Sequence, residues 1–224
     1  MQKSMIKLLS LADVVSLTNA GFGFLAIITA SLGEMWFSFS FILIALLTDG
    51  LDGIVARKTG HSELGDHMEA MADMISLGIA PSIFVYAIYY NEISQGIYYH
   101  SYLIITLTVF LLLSIIRLAS FHIMKDKKFF VGLPASISAI ILIILAFFEI
   151  EFLYVLSAII IVSLAMISNV RFPKPGLKID AIAAVLIILT LVFGEEYYGI
   201  APLLLITMLV TYTILGPLYL LKSK

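Results

Sequence analysis

Residues 98–119 read YYHSYLIITLTVFLLLSIIRLA, and no charged residue occurs from Ser101 through Ile116. About 20 residues of helix cross the ~30 Å hydrocarbon layer of a bilayer. A helix also satisfies its own backbone hydrogen bonds, which lipid cannot do. This stretch therefore predicts a transmembrane helix, and the rest of the chain repeats it. Of 224 residues, 62% are apolar and 12% charged, with mean hydropathy +1.10. Soluble domains run at about 45–50% and about 25%. Such a composition excludes an ordinary cytosolic domain, a nucleic-acid binder and a disordered tail. With no cysteine, disulfides, a thiolate nucleophile and Cys-ligated zinc are excluded as well.

Working outward, the apolar runs predict an all-α polytopic membrane protein with eight spans, at 14–32, 35–57, 67–90, 98–119, 133–148, 151–168, 178–194 and 199–221. No linker or second soluble domain is visible, so 1–224 reads as one domain. Met1–Leu11 is too short and mixed to span. Lys3 and Lys7 lie four apart with Met5, Ile6, Leu8 and Leu9 on the other face, which predicts an amphipathic interfacial helix. Every one of the 13 Lys and Arg residues falls on one side of this layout. The opposite loops carry only acids, Glu34, Glu92, Glu149, Glu151, Glu195 and Glu196. The positive-inside bias then places both termini in the cytoplasm of a cell-membrane protein. Trp36, Tyr98, Tyr99, Tyr197 and Tyr198 read as an interfacial aromatic belt, and His61, His67, His100 and His122 as solvent-facing.

Charge inside a membrane segment marks function, because burying it is costly. The second and third spans carry Asp49, Asp52, Asp66, Glu69 and Asp73. Asp49, Asp52, Gly53 and Ala56 fall at i, i+3, i+4 and i+7, one helix face. Gly65, Glu69 and Asp73 repeat every four residues, with Asp66 beside them. The short connection predicts that the two acidic faces meet near the cytoplasmic surface. Clustered carboxylates repel unless cations sit among them, and hard oxygen ligands suit Mg²⁺ or Mn²⁺. Two such ions about 3.5–4 Å apart would clamp a diphosphate. Gly53 and Ala56 leave room for a flat ligand, and Arg57 offers an anion contact.

The run Asp49-Gly-Leu-Asp52-Gly53-Ile-Val-Ala56-Arg57, then Gly65, Glu69 and Asp73, resembles the signature of the CDP-alcohol phosphotransferases, D-x-x-D-G-x-x-A-R followed by G-x-x-x-D-x-x-x-D. Glu69 departs from the family's third aspartate, keeping the charge and adding a methylene. The resemblance implies that Asp49, Asp52, Glu69 and Asp73 bind the metals that hold a CDP diphosphate. It further implies that Asp73 is the general base on an alcohol hydroxyl, and that CMP leaves. It places Ser16, Asn19, Gly53, Ala56, Arg57, Ser62, Gly65 and Asp66 at the CDP-lipid, which would be CDP-diacylglycerol or CDP-archaeol.

Further runs are similar to those of membrane-embedded phosphatidylserine synthases. These are Asp73-Met-Ile-Ser76-Leu-Gly78-Ile-Ala80-Pro81, Arg117-Leu-Ala-Ser-Phe-His122, Phe130-Val-Gly132-Leu-Pro134, Ser168-Asn-Val-Arg171-Phe-Pro173 and Asp13-Val-Val-Ser16-Leu-Thr-Asn19. They cover a catalytic core at about 12–174, with two additional spans at 178–221 that carry no readable motif. L-Serine is the acceptor this implies, its carboxylate taken by Arg117, Arg171 or Lys125, in a homodimer surrounded by membrane lipid. The competing acceptors are glycerol 3-phosphate and inositol phosphate, which would demand a denser basic pocket. A cation transporter is the rival of another class, but it would need its acids near mid-membrane and reachable from both sides.

Overall fold

The computed structural model describes residues 5–59, 62–93, 96–121, 123, 124, 126, 128–194 and 196–222; of residues 5, 56–59, 91–93, 97, 197 and 198 it describes the backbone alone. The chain forms two compact units, Met1–Ala87 and Ile88–Lys224.

In the first unit, Ser10 caps helix α1 (Leu11–Ser31) through a reciprocal box. The Asp13 amide donates to Ser10 Oγ at 3.3 Å, and the Ser10 amide donates to Asp13 Oδ2 at 2.6 Å. This satisfies amides that a helix start leaves unpaired. The cap begins the helix three residues before the expected 14, and the chain ahead of it differs from expectation too. Instead of an amphipathic helix over 1–11, the described residues form only a 3₁₀ turn, Met5–Leu8. A cap at Ser10 ends anything that precedes it.

Helix α2 (Met35–Thr59) packs along α1, and helix α3 (Gly65–Asp73) and the turn that follows lie against α1 as well. The buried stripe of α1 is Asp13, Ser16, Asn19, Gly23, Ala26 and Ala30, at spacings of three and four. These are mostly small or polar residues, which let backbones approach closely. The core beneath them is Phe39, Ile42, Leu43, Ala45, Leu77, Phe84 and Val85, all at most 1% exposed. The expected break near Gly78–Pro81 takes the form of a π-helical turn, Met74–Ile79, where the Ala80 amide bonds five residues back to the Ile75 carbonyl. Pro81 brings no N–H, and its ring crowds the carbonyl four residues earlier, so a widened turn there costs one hydrogen bond less. Helix α4 (Ala80–Ile93) follows.

The second unit holds helices α5 (Ile97–Phe121), α6 (Ala135–Phe147), α7 (Phe152–Met166), α8 (Leu177–Phe193) and α9 (Glu196–Lys222). Helix α5 packs on α7, and α8 on α9. Two three-residue strands interrupt the helices: β1 (Phe129–Val131) pairs antiparallel with β2 (Arg171–Pro173), Phe130 opposite Phe172. Both lie in stretches read from the sequence as loops. The Tyr212 hydroxyl of α9 donates to the Pro173 carbonyl at 2.8 Å, and its ring stacks on Phe172. The last helix thus backs the ribbon.

Five helical stretches are long and apolar enough to cross a bilayer: Leu11–Ser31, Met35–Val55, Gly65–Tyr90, Tyr98–Phe121 and Gly199–Lys222. On α5, Ile105, Leu112 and Ile116 are more than half exposed, which is the surface a membrane protein turns to lipid. The protein is an integral membrane protein. The other three expected spans are apolar but shorter, with 13 residues in α6, 15 in α7 and 17 in α8. In the first two, capping and turn residues occupy part of the apolar run: Pro134 sets the start of α6 at Ala135, and Glu151 that of α7 at Phe152.

Candidate active site

All four acids assigned to metal lie in the first unit. Asp52 is 6% and Asp73 7% exposed, while Asp49 and Glu69 are half-buried. The 3-and-4 spacings of α2 and α3 bring them together. Asp49 and Asp73 are in hydrogen-bonding contact across the two helices, and Asp52 and Glu69 are close enough to act on both electrostatically. Among the described residues, no cation figures among the groups acting on Asp49, Asp52 or Asp73. Carboxylates this close and this dry repel one another unless positive charge joins them.

Helix α1 holds two of these acids in place. Ser16 Oγ donates to Asp52 Oδ2 at 2.8 Å, and Asn19 Nδ2 donates to Asp73 Oδ1 at 2.9 Å. Ser16 and Asn19 are 4% and 0% exposed. The two residues sit one turn apart on α1. Asn19 Oδ1 is buried with no hydrogen-bond partner among the described residues, an expense proteins rarely leave uncompensated. Further along the stripe, a Cβ on Gly23 would stand 2.8 Å from the Ser76 Cα. Only glycine allows α1 this close to the π turn, and so allows Asn19 to reach Asp73.

The other assigned residues are distributed as follows. A Cβ built on Gly53 would meet nothing within 4 Å, so that side of α2 is open. Ser62 Oγ accepts from the Leu64 amide at 3.1 Å in the turn that starts α3. Gly65 sits above it, with Asp13 Oδ1 and Ser62 Oγ each 3.6 Å from where its Cβ would be. Asp66 is exposed and is not among the charges acting on Asp49, Asp52 or Asp73. The side chains of Ala56 and Arg57, and Lys125, His61 and His122, lie outside the described residues. Asp13, a buried acid at the start of α1, was not assigned a role from the sequence; its capping contact with Ser10 was the available signal.

In the second unit, Arg117 is 8% exposed, and its Nε donates to the Leu133 carbonyl at 3.2 Å. The ribbon sets two further cations over aromatic rings, Arg171 over Phe129 at 4.6 Å and Lys174 over Phe130 at 4.9 Å. Gly132, which ends β1, has φ +76°, and a Cβ there would fall 2.1 Å from the Met166 carbonyl oxygen. Its amide donates to the Val170 carbonyl at 2.8 Å. The glycine therefore closes the loop that carries these residues against the end of α7.

For a divalent ion, the donor set is all oxygen, as Mg²⁺ or Mn²⁺ prefers, and the orphaned Asn19 oxygen stands beside it. No three His, Asp or Glu side chains among the described residues converge as a ready ligand set. The chemistry of the donors fits such an ion.

The fold and site thus define an integral membrane protein with a buried acidic cluster between its first three helices. A family model for CDP-alcohol phosphatidyltransferases matches residues 9–215, reaching past the last readable motif into α9. The chain belongs to that family. It is 32% identical over 179 residues to the CDP-diacylglycerol–serine O-phosphatidyltransferase of Methanocaldococcus jannaschii, covering 79% of this chain and 80% of that one. It is 33% identical over 179 residues to the archaetidylserine synthase of Methanothermobacter thermautotrophicus, covering 77% and 73%. The CDP-diacylglycerol–serine O-phosphatidyltransferase of Helicobacter pylori is 29% identical over 187 residues, 76% of each chain.

Proposed function

We propose that this chain transfers the phosphatidyl or archaetidyl group of a CDP-activated lipid to the hydroxyl of L-serine, releasing CMP on the cytoplasmic side of the membrane. The observation that carries the reading is the Asp49–Asp73 contact across α2 and α3, with Asp52 and Glu69 near enough to act on both and Asn19 bonded to Asp73. Family membership and the names of the similar proteins support the reaction class and the acceptor.

Asp49, Asp52, Glu69 and Asp73 would hold Mg²⁺ or Mn²⁺, which when bound supplies charge neutralisation for the diphosphate. The open side of Gly53 admits the nucleotide, and Ser62, Gly65 and Asp66 border the start of α3; Ala56 and Arg57 join them by motif. Ser16 keeps Asp52 oriented. Asn19 keeps Asp73 oriented, and Asp73 accepts the proton of the serine hydroxyl. The serine oxygen forms a bond to the lipid-bearing phosphorus as the bond from that phosphorus to the CMP oxygen breaks. CMP departs with the electron pair. Transfer of this kind depends mainly on positioning and electrostatic stabilisation. Arg117 and Arg171, and Lys125 by sequence, would take the serine carboxylate.

The test is CMP release from CDP-diacylglycerol and CDP-archaeol by the purified chain with Mg²⁺ or Mn²⁺. L-Serine, glycerol 3-phosphate and inositol phosphate are offered in parallel, with Asp73→Asn as blank. Release with serine alone, lost in the blank, is expected; release only with another acceptor would overturn the serine assignment.

A further inference from the structure

Building on the transfer reading above, we infer that the π turn Met74–Ile79 is what aims Asp73 at the acidic cluster, with Pro81 as the positioning residue that keeps the turn open. The turn begins directly after Asp73. It lies within the run Asp73-Met-Ile-Ser76-Leu-Gly78-Ile-Ala80-Pro81, of which the proposed mechanism uses only the acid.

An α-helix advances about 100° per residue. On an unbroken helix Asp73, Leu77, Ala80 and Phe84, at i, i+4, i+7 and i+11, would share one stripe. The last three are core side chains, at most 1% exposed. The Phe84 ring also packs on Phe39 of α2, with centroids 6.0 Å apart. A straight helix would therefore carry the Asp73 carboxyl onto the apolar face. The π turn holds one residue more than an α turn, so it offsets the two segments by about 100°. Ala80 and Phe84 keep the core, while Asp73 comes round to accept from Asn19 Nδ2 at 2.9 Å and to meet Asp49.

The surroundings keep this offset in place. Pro81 lacks the amide that would close an α turn on the Leu77 carbonyl. The turn falls inside the bilayer-length stretch Gly65–Tyr90, where hydroxyls and π adjustments help to satisfy a backbone that proline interrupts. Two hydroxyls add donors here. Ser76 Oγ donates to the Ala72 carbonyl at 3.2 Å, and Ser82 Oγ donates to the Gly78 carbonyl at 2.7 Å. From α1, Gly23 brings its backbone against Ser76, whose Cα would stand 2.8 Å from a Cβ at residue 23. Helix α1 thus grips the turn at a fully buried residue.

The purified full chain in detergent is tested for CMP release with L-serine, for Mn²⁺ affinity without substrate by electron paramagnetic resonance, and for melting temperature in chelator. Pro81→Ala supplies the missing amide and removes a proline from a helix interior, so it is expected to melt no lower than wild type. Its kcat should fall about tenfold or more, on the scale of a misplaced catalytic group. Its Mn²⁺ affinity should fall about tenfold, with little change in the serine KM. A merely structural turn would move the melting temperature and spare this split. Deletion of Ile79 takes out the extra residue and is expected to lower kcat about 100-fold, whereas Ile79→Ala keeps the residue count and should stay close to wild type. Wild-type kcat and Mn²⁺ affinity in Pro81→Ala overturn the inference, as does an equal loss in Ile79→Ala and the deletion. If the deletion does not fold, Pro81→Ala decides alone. If the wild type releases no CMP with any acceptor, the transfer reading falls on its own. Mn²⁺ binding then decides the offset: weaker binding by Pro81→Ala supports it, and equal binding overturns it. A wild type that also binds no Mn²⁺ overturns both.

Discussion

Asn19 of α1 donates from Nδ2 to Asp73 Oδ1 at 2.9 Å, while its own oxygen is buried without a partner among the described residues. The amide orients the carboxyl that is to accept a proton, and it does so from a different helix. Replacing Asn19 with Leu keeps the volume and removes the donor. The expected result is a fall in kcat of about 10–100-fold, the usual penalty for losing an orienting partner, with a smaller change in the KM for serine. CMP release under saturating CDP-lipid reads this directly, and an unchanged melting temperature assigns the loss to orientation rather than unfolding.

Ser16 and Asp52 form the parallel pair, 2.8 Å apart. Here the acid is a metal ligand in the proposed mechanism, so the expected symptom differs. Ser16→Ala should raise the Mn²⁺ concentration needed for half-maximal activity about tenfold, within the range for outer-shell partners. Ser16→Thr keeps the hydroxyl and should stay close to wild type. A metal titration of both variants checks the prediction; equal requirements in the two would sink it.

Much of this architecture is legible in the amino-acid order. The long spans follow from uninterrupted apolar runs such as 98–119, and the meeting of Asp49 and Asp52 with Glu69 and Asp73 follows from helical spacing. The ribbon does not, because three-residue strands such as Phe129–Val131 and Arg171–Pro173 are too short to show an alternating period and pair across forty residues. The π turn is visible only as a break at Pro81, since a missing N–H does not say how the backbone will accommodate it. Ser16 and Asn19 stand out by motif. Their targets depend on how closely α1 packs, and Gly23 sets that distance.

Gly21 and Gly23 test that dependence. A Cβ on Gly21 meets nothing within 4 Å, whereas one on Gly23 stands 2.8 Å from the backbone of Ser76. Gly23→Ala must push α1 from the π turn and stretch the Asn19–Asp73 bond, so activity should drop at least tenfold, on the scale of a misplaced catalytic group. Gly21→Ala, on the open face, should retain both activity and melting temperature. Equal behaviour of the two variants in CMP release would contradict the packing argument.

Gly132 should matter for stability rather than chemistry alone. Alanine at φ +76° costs about 1–2 kcal/mol in backbone conformation, and its Cβ would overlap the Met166 carbonyl oxygen. Relieving such a contact adds about 1–3 kcal/mol. Gly132→Ala should therefore unfold at clearly lower temperature in detergent, and it should raise the serine KM by loosening the ribbon that carries Arg171.

The acidic cluster makes the apo protein self-repelling, so metal should stabilise the first unit as well as support turnover. Four carboxylates gather, and among the described residues no cation figures in the groups acting on Asp49, Asp52 or Asp73. A ligand that binds only the folded state stabilises by RT ln(1 + [L]/Kd), about 2.7 kcal/mol at 100 times Kd. Adding Mn²⁺ to chelator-treated protein should raise its melting temperature by several degrees and restore CMP release in the same concentration range. Asp52→Asn removes one of the charges that repel. It should melt higher than wild type without metal, yet gain less when metal is added. This crossing separates a metal site from a merely hydrated acidic vestibule, since a vestibule would give a metal-independent melt in both proteins.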